Sequence, residues 1–339
     1  MPHPDSKLLG TLSDVPSPTR RRLGHFAFIP AADYLGLIFV LIAMAVTFAL
    51  LTRESGNFLN AQLAATLANR IPKEILLAIG MTFVLLVGGI DLSVGSVMAL
   101  SSAAAAYLIV NYHLPLAPAI MVCLAVGGTC GLINGLVTVM WRLPSFIVTL
   151  GMYEIAGGLA ERIANPTISI DPAITSPLAA SVGGFALTTP VALALVVIAQ
   201  IIISLTVYGR YLVAAGTNEE ALRLSGIRPA RLQVSVFVIS GLCAAAAALV
   251  SMSETSTADS NAGARAELRA IAAAVIGGTS LMGGRGSVTG SLLGVLIMEV
   301  LGYGLTAMDV RNPAQRVITG CVIVAAAVID YYRRRMSKR

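Results

Sequence analysis

The chain has 339 residues, 56% hydrophobic and 12% charged, with a mean hydropathy of +0.83. Soluble domains carry roughly 25% charged residues and under 50% apolar ones, so this composition excludes a water-soluble globule and indicates an integral membrane protein. The net charge of +6 gathers at chain ends and between apolar runs with almost no aromatic interleaving, which suits membrane orientation and argues against a nucleic-acid partner.

In chain order, residues 1–33 form a polar arm ending its basic part in Arg20-Arg21-Arg22, expected on the cytoplasmic side. The first apolar run, 34–51, has the length of a span and no small-residue cleavage site, so it is expected to be an uncleaved anchor. Further runs of roughly spanning length lie at 75–90, 91–110, 116–140, 145–163, 189–208, 232–252, 267–281, 287–307 and 315–332. The expected fold is therefore all-α and membrane-embedded, with about ten transmembrane helices over 34–332, some broken by glycine, and a basic tail over 333–339. The stretch Leu63 to Gly89 stays open between an external amphipathic helix followed by a span and a broken membrane helix, because Arg70, Lys73 and Glu74 sit in its middle.

Cytoplasmic loops carry excess Lys and Arg. Ten spans put the arm, the tail (Arg333, Arg334, Arg335, Lys338, Arg339), Arg142, Arg285 and the loop bearing Arg210, Arg223, Arg228 and Arg231 on one side. Arg53, Arg162, Arg265, Arg269, Arg311 and Arg316 fall opposite, and Arg70 and Lys73 are ambiguous. Both termini are thus expected in the cytoplasm of a plasma membrane, with the nearly uncharged connection Ala164–Thr189 outside and the charged connection Gly209–Leu232 inside.

Cys123, Cys130, Cys243 and Cys321 all lie inside apolar runs, form no CxxC pair and have no histidine nearby, so they read as small buried residues, and no metal site is expected. His113 stands alone, and no nucleophile–base constellation appears, so no catalytic residue is assigned.

Two glycine-rich stretches resemble each other. Val87-Gly88-Gly89-Ile90-Asp91-Leu92 matches Ile276-Gly277-Gly278-Thr279-Ser280-Leu281, and Gly95-Ser96-Val97 matches Gly286-Ser287-Val288. Transporters arise by such duplication, with glycine-broken helices marking the pathway; glycine pairs in a membrane also permit close helix packing. Asp91, followed by Ser93 and Gly95, could line a polar passage or cap the helix that begins behind it. Glu299 and Glu154 stand in apolar runs and could line a passage or pair across helices. Gly88, Gly89, Asp91, Ser93, Gly95, Gly277, Gly278 and Glu299 are assigned to a translocation pathway.

The run Gly278 to Arg285 lacks the Gly-Lys-Ser/Thr of a P-loop, and Gly284 to Gly290 misses a dinucleotide fingerprint, so no nucleotide site is visible. In Ala214 to Ile227, Asn218 can N-cap a short helix, Glu219 and Glu220 suit its positive end, and Gly226 can terminate it. Ala221, Leu222, Leu224 and Ile227 would give that helix an apolar contact surface.

Three blocks together, Gly88 to Gly95, Gly209 to Ile227 and Ile276 to Val288, resemble the permease subunits of bacterial sugar ABC importers of the ribose/xylose/arabinose/galactose type. The resemblance spans about residues 35–332. It implies a membrane subunit working beside a second permease copy, identical or paralogous, within the lipid bilayer. A cytoplasmic ABC ATPase would bind ATP-Mg, so this chain would carry no cofactor and would not itself be an enzyme. An extracytoplasmic sugar-binding protein would deliver a monosaccharide or related polyol. Asn218, Glu219, Glu220, Arg223, Leu224 and Gly226 match the segment through which the ATPase couples to the spans. The chain departs from the family pattern at Glu219, where Pro is usual, at Gly157, where Arg is common, and at Arg269, where Asp is common, reversing a charge on the outer side. The rival reading is a proton-coupled secondary transporter with Asp91, Glu154 or Glu299 as carriers.

Overall fold

The computed structural model describes residues 31–52, 61–182 and 185–337. The arm over 1–30, Arg53, Lys338 and Arg339 lie outside the described residues. The chain begins with α1 (Ala31–Leu51), α2 (Ala61–Leu86), α3 (Val94–Tyr112), α4 (Leu116–Trp141) and α5 (Ser145–Ala164). A short-element stretch follows, with β1 (Thr167–Ser169), α6 (Pro172–Thr175), β2 (Ser181–Val182) and β3 (Phe185–Ala186). Then come α7 (Thr188–Leu205), α8 (Val207–Thr217), α9 (Glu219–Leu224), α10 (Pro229–Thr255), β4 (Thr257–Asp259), α11 (Ala266–Ile276), α12 (Val288–Ala307) and α13 (Asn312–Ser337).

Among the described residues, six helices (α1, α3, α4, α7, α10 and α12) are long and apolar enough to cross a membrane. The other four expected spans fall outside that group, and in α13 the apolar part covers only Asn312–Val328. Helices α2 and α5 each carry three charges: Arg70, Lys73 and Glu74 in one, Glu154, Glu161 and Arg162 in the other. Helix α11 has 11 residues, about 16 Å at 1.5 Å per residue, half of a ~30 Å hydrocarbon layer. The stretch around 63–89, left open by its pattern, is one helix with Pro72 inside it, ending at Leu86. Helix α13 runs on through Ser337, into the basic tail.

Glycine builds the core. Helices α4 and α10 run antiparallel along a seam where Gly135 lies on Val234, Gly131 on Phe237 and Gly127 on Gly241. Lipid-embedded helices gain little from apolar burial alone, so such close backbone approach is a main source of their attraction. Helix α2 packs on the same α10, with a Cβ on Gly80 falling 2.9 Å from the Ser240 Cα. The Thr82 and Ser291 hydroxyls, 2.7 Å apart, join α2 to α12, and α11 lies against α12 where Gly294 meets the Ala273 carbonyl. Helix α1 is peripheral, with the Phe48 ring laid over Gly304 of α12. Strands β1 and β4 pair antiparallel, Thr167 opposite Asp259, and tie the chain after α5 to the chain after α10. Cys123 and Cys130 are buried as expected, but Cys321 is exposed on α13.

The two glycine breaks share one geometry. Gly88 (φ 77°) and Gly278 (φ 90°) take left-handed backbone just past α2 and α11. The Gly88 and Gly89 amides donate to the Leu85 and Val84 carbonyls, and the Gly278 and Thr279 amides donate to those of Val275 and Ala274. This is the paired bonding of a Schellman ending, in which glycine occupies the left-handed position. The structural repeat therefore equates Gly88 with Gly278, one residue away from the sequence match of Gly88 with Gly277. Hydrogen-bond geometry, rather than residue identity, sets that equivalence.

Candidate functional site

The N-terminus of α3, the middle of α5 and the loop after β4 enclose a recess of about 300 Å³. Ser96, Tyr153, Glu154, Glu161 and Asn261 supply its polar groups, and Gly157 and Gly158 keep α5 thin beside it. Tyr153, Glu154, Gly157, Gly158 and Glu161 follow helical spacing, so one face of α5 presents them together. Gly95 touches Gly263 backbone to backbone; a Cβ on either would overlap the other's carbonyl, which holds the loop against α3. Two buried atoms here have no hydrogen-bond partner among the described residues: the Ser260 hydroxyl, which lines the recess, and Oε2 of Glu267, beside Gly95. The site offers a phenol, two carboxylates, an amide and hydroxyls, with no cation in its lining.

Of the residues assigned from sequence to a pathway, only Gly95 lines this recess. Asp91 is 1% exposed. Its Oδ1 accepts from the Ser93 amide (2.9 Å) and hydroxyl (2.6 Å), and its Oδ2 accepts from the Ser240 hydroxyl (2.8 Å). Asn134 donates to the Ser93 hydroxyl at 2.9 Å. Asp91 and Ser93 thus clasp the start of α3 to α4 and α10. Helix α3 begins at Val94 with Ser93 as its N-cap residue and no side-chain cap hydrogen bond, so Asp91 stands two residues before the cap and bonds the cap residue instead of the first helical amides. Gly277 presses on the Gly290 backbone. Glu299 stands half-buried in a second group of charges, within electrostatic range of Glu74, Arg269, Arg70 and Lys73. Sequence reasoning singled out Glu154 but missed Ser96, Tyr153, Glu161 and Asn261; the i, i+3, i+7 spacing along α5 was the available signal.

Arg269 pairs with the buried Glu74 at 3.2 Å. The charge reversal noted at Arg269 is thus answered inside the chain, and Arg70 and Lys73, ambiguous by sidedness, stand at the same end. Arg269→Ala leaves Glu74 buried without its cation. Because Arg269 is itself partly exposed, the expected cost is about 2 kcal/mol, below that of a fully buried pair. Thermal unfolding of the single variants and of Arg269→Ala/Glu74→Gln should show the double variant recovering most of the loss; equal, additive losses would remove the pairing argument.

At the opposite end of the bundle, α9 is capped as its sequence indicates. Asn218 Oδ1 accepts from the Ala221 amide at 2.9 Å, Glu220 pairs with Arg223 at 2.6 Å, and Gly226 (φ 83°) lies just past the helix end. The anticipated single apolar surface divides: Leu222 is buried toward the bundle, whereas Leu224 is 80% exposed. A Cβ on Gly216 would overlap both the Leu86 carbonyl and the Gly284 amide nitrogen, so α8, α2 and the chain before α12 meet here without side chains between them.

The chain matches a family model described as branched-chain amino acid transport system / permease component over residues 63–327. It is 36% identical over 297 residues to the ribose import permease protein of Haemophilus influenzae, covering 86% of this chain and 92% of that one. With the fructose import permease protein of Rhizobium meliloti it shares 33% over 331 residues, 94% of this chain and 90% of that one. With the xylose transport system permease protein of Escherichia coli it shares 33% over 365 residues, 88% and 93% of the two. No solved structure matches it significantly.

Proposed function

We propose, since this chain belongs to the branched-chain amino acid transport system / permease component family, that it is the membrane-embedded permease subunit of an ATP-driven importer for a monosaccharide or related polyol. The observation that carries the substrate class is the likeness, over nearly the whole chain, to import permeases named for ribose, fructose and xylose. The recess offers carboxylates, hydroxyls and an amide, groups that sugar hydroxyls bond. The same likeness supports the ATP-driven reading and not the proton-coupled one.

Glu154, Gly158 and Glu161 lie exposed on α5. Carboxylates at membrane depth face a partner or a wet cavity rather than lipid, so this face of α5 belongs at the axis of a permease pair, identical or paralogous, with the recess opening on the passage. A cytoplasmic ATPase carries the ATP-Mg and docks at α9, whose Asn218, Glu219, Glu220, Arg223, Leu224 and Gly226 transmit its closure. A binding protein delivers sugar at the β1–β4 end, and both termini lie on the α9 side of the inner membrane. Asp91 and Ser93 keep the start of α3, and hence one wall of the recess, in place as the passage alternates; Gly88, Gly89, Gly277 and Gly278 mark the breaks beside it.

Reconstitution with its ATPase and binding protein tests this. A Cβ on Gly158 would meet nothing within 4 Å inside the chain, so Gly158→Leu should leave folding intact while ATP-dependent sugar uptake falls at least ~10-fold through blockage of the recess mouth. Tyr153→Ala should lower uptake similarly. Wild-type uptake by both variants would discard the recess as the sugar's route, and uptake by the permease without any ATPase would discard the importer reading itself.

A further inference from the structure

The chain between α11 and α12 contains a tight turn, Ser280 to Arg285, that the pathway reading does not use. The Ser280 amide donates to the Arg285 carbonyl at 2.9 Å, the Gly283 amide to the Ser280 carbonyl at 3.2 Å, and the Met282 amide to the Ser280 hydroxyl at 3.2 Å. Gly283 and Gly284 take φ of 84° and 75°, which only glycine adopts freely. The turn is also fastened to its neighbours: the Gly284 amide donates to the Leu86 carbonyl at 2.9 Å, and a Cβ on Gly283 would lie 2.9 Å from the Gly216 Cα. It therefore sits against the end of α8, next to Asn218 and α9.

On this braced turn Met282 is 77% exposed, and Arg285 is exposed beside it. The neighbouring α9 carries exposed Glu219, Glu220 and Arg223, so this end of the bundle stands in water rather than in hydrocarbon, and lipid does not account for a bare methionine. An apolar side chain held out on a rigid turn loses little freedom when a partner covers it, and methionine adapts to an irregular apolar pocket. Leu224 on α9 is likewise exposed, and the turn meets the chain that leads into α9, since a Cβ on Gly284 would lie 2.5 Å from the Thr217 hydroxyl.

We propose that the turn Ser280–Arg285 and α9 together form a two-part docking surface for the cytoplasmic ATPase, with Met282 as the apolar anchor of the second part. The proposal rests on the importer reading above, and its occupant follows from continuity with α9. Arg285 adds a positive charge that calls for an acidic group on the ATPase. The turn also has a mechanical consequence. Its bond to Leu86 and its contact with Gly88, whose Cβ would meet the Met282 carbonyl at 3.4 Å, carry a push from the ATPase to the break after α2, while the chain itself carries it to Gly278.

The experiment places a photo-cross-linking residue at Met282, at Leu224 and, as a control, at exposed Met121 on α4, in the full-length permease in its native membrane. The expected result is one and the same P-loop ATPase, identified by mass spectrometry, joined at Met282 and Leu224 and absent at Met121. Met282→Asp should then lower the ATPase recovered with the permease at least ~10-fold. Cross-linking to the ATPase at Leu224 but only to lipid, to the permease itself or to nothing at Met282 overturns this inference and leaves the importer reading standing. No ATPase at either position overturns both.

Discussion

Gly131→Leu is expected to destabilise the protein strongly by opening the α4–α10 seam. A Cβ at Gly131 would overlap the Phe237 carbonyl, and the atoms in its way are backbone, which cannot swing aside. Gly127 meets Gly241 equally closely, and a Cβ on Gly135 would come within 2.8 Å of the Val234 Cα, so forcing the helices apart at one level opens all three. Overpacking a well-fitted contact costs about 1–3 kcal/mol, and the loss of the adjoining contacts places this variant at or beyond the upper end. Thermal unfolding in mild detergent should show the midpoint several degrees lower, with less folded protein recovered from membranes. Gly320→Leu on α13, where nothing lies within 4 Å, is the matched control and should leave the midpoint unchanged. Equal midpoints for the two would mean that the seam does not hold the bundle.

The second large effect is expected at Asp91. Asp91→Ala removes the acceptor for the Ser93 amide, the Ser93 hydroxyl and the Ser240 hydroxyl at once, a loss of about 3 kcal/mol at roughly 1 kcal/mol for each hydrogen bond. Asp91→Asn keeps one acceptor oxygen for Ser93 and can donate to the Ser240 hydroxyl, so it should recover much of the stability. Cys130 lies within electrostatic range of Asp91 and is buried. Its alkylation by a thiol reagent should accelerate at least ~10-fold in Asp91→Ala and little in Asp91→Asn. Unchanged alkylation with lost transport would instead assign Asp91 to the passage rather than to the clasp.

These two residues also show how far the sequence could be read. Asp91 drew notice because an acid between apolar runs demands a partner, and both a cap and a passage were open to it. Ser240, which bonds Asp91, and Asn134, which bonds Ser93, lie far along the chain and are ordinary in composition, so nothing local announced them. The seam was similarly silent, because Gly127, Gly131 and Gly135 show a four-residue spacing but not which helix they face. The recess was half legible: Gly95 and Glu154 were marked by motif and by charge, whereas Ser96, Tyr153, Glu161 and Asn261 become a site only when α3, α5 and the loop after β4 converge.

The amino-acid sequence by itself determined the membrane character, the helical class and the capped α9. Each of these depends on hydropathy or on backbone preferences within a few residues, and such local terms act in the unfolded chain as they do in the folded one. Only the tertiary structure decided that 61–86 is one helix, that Gly88 corresponds to Gly278, that Arg269 answers Glu74, and that Met282 stands bare beside α9. Those outcomes depend on groups distant in sequence being brought within a few ångströms of one another, where van der Waals fit, hydrogen bonds and charge pairing act only at contact range.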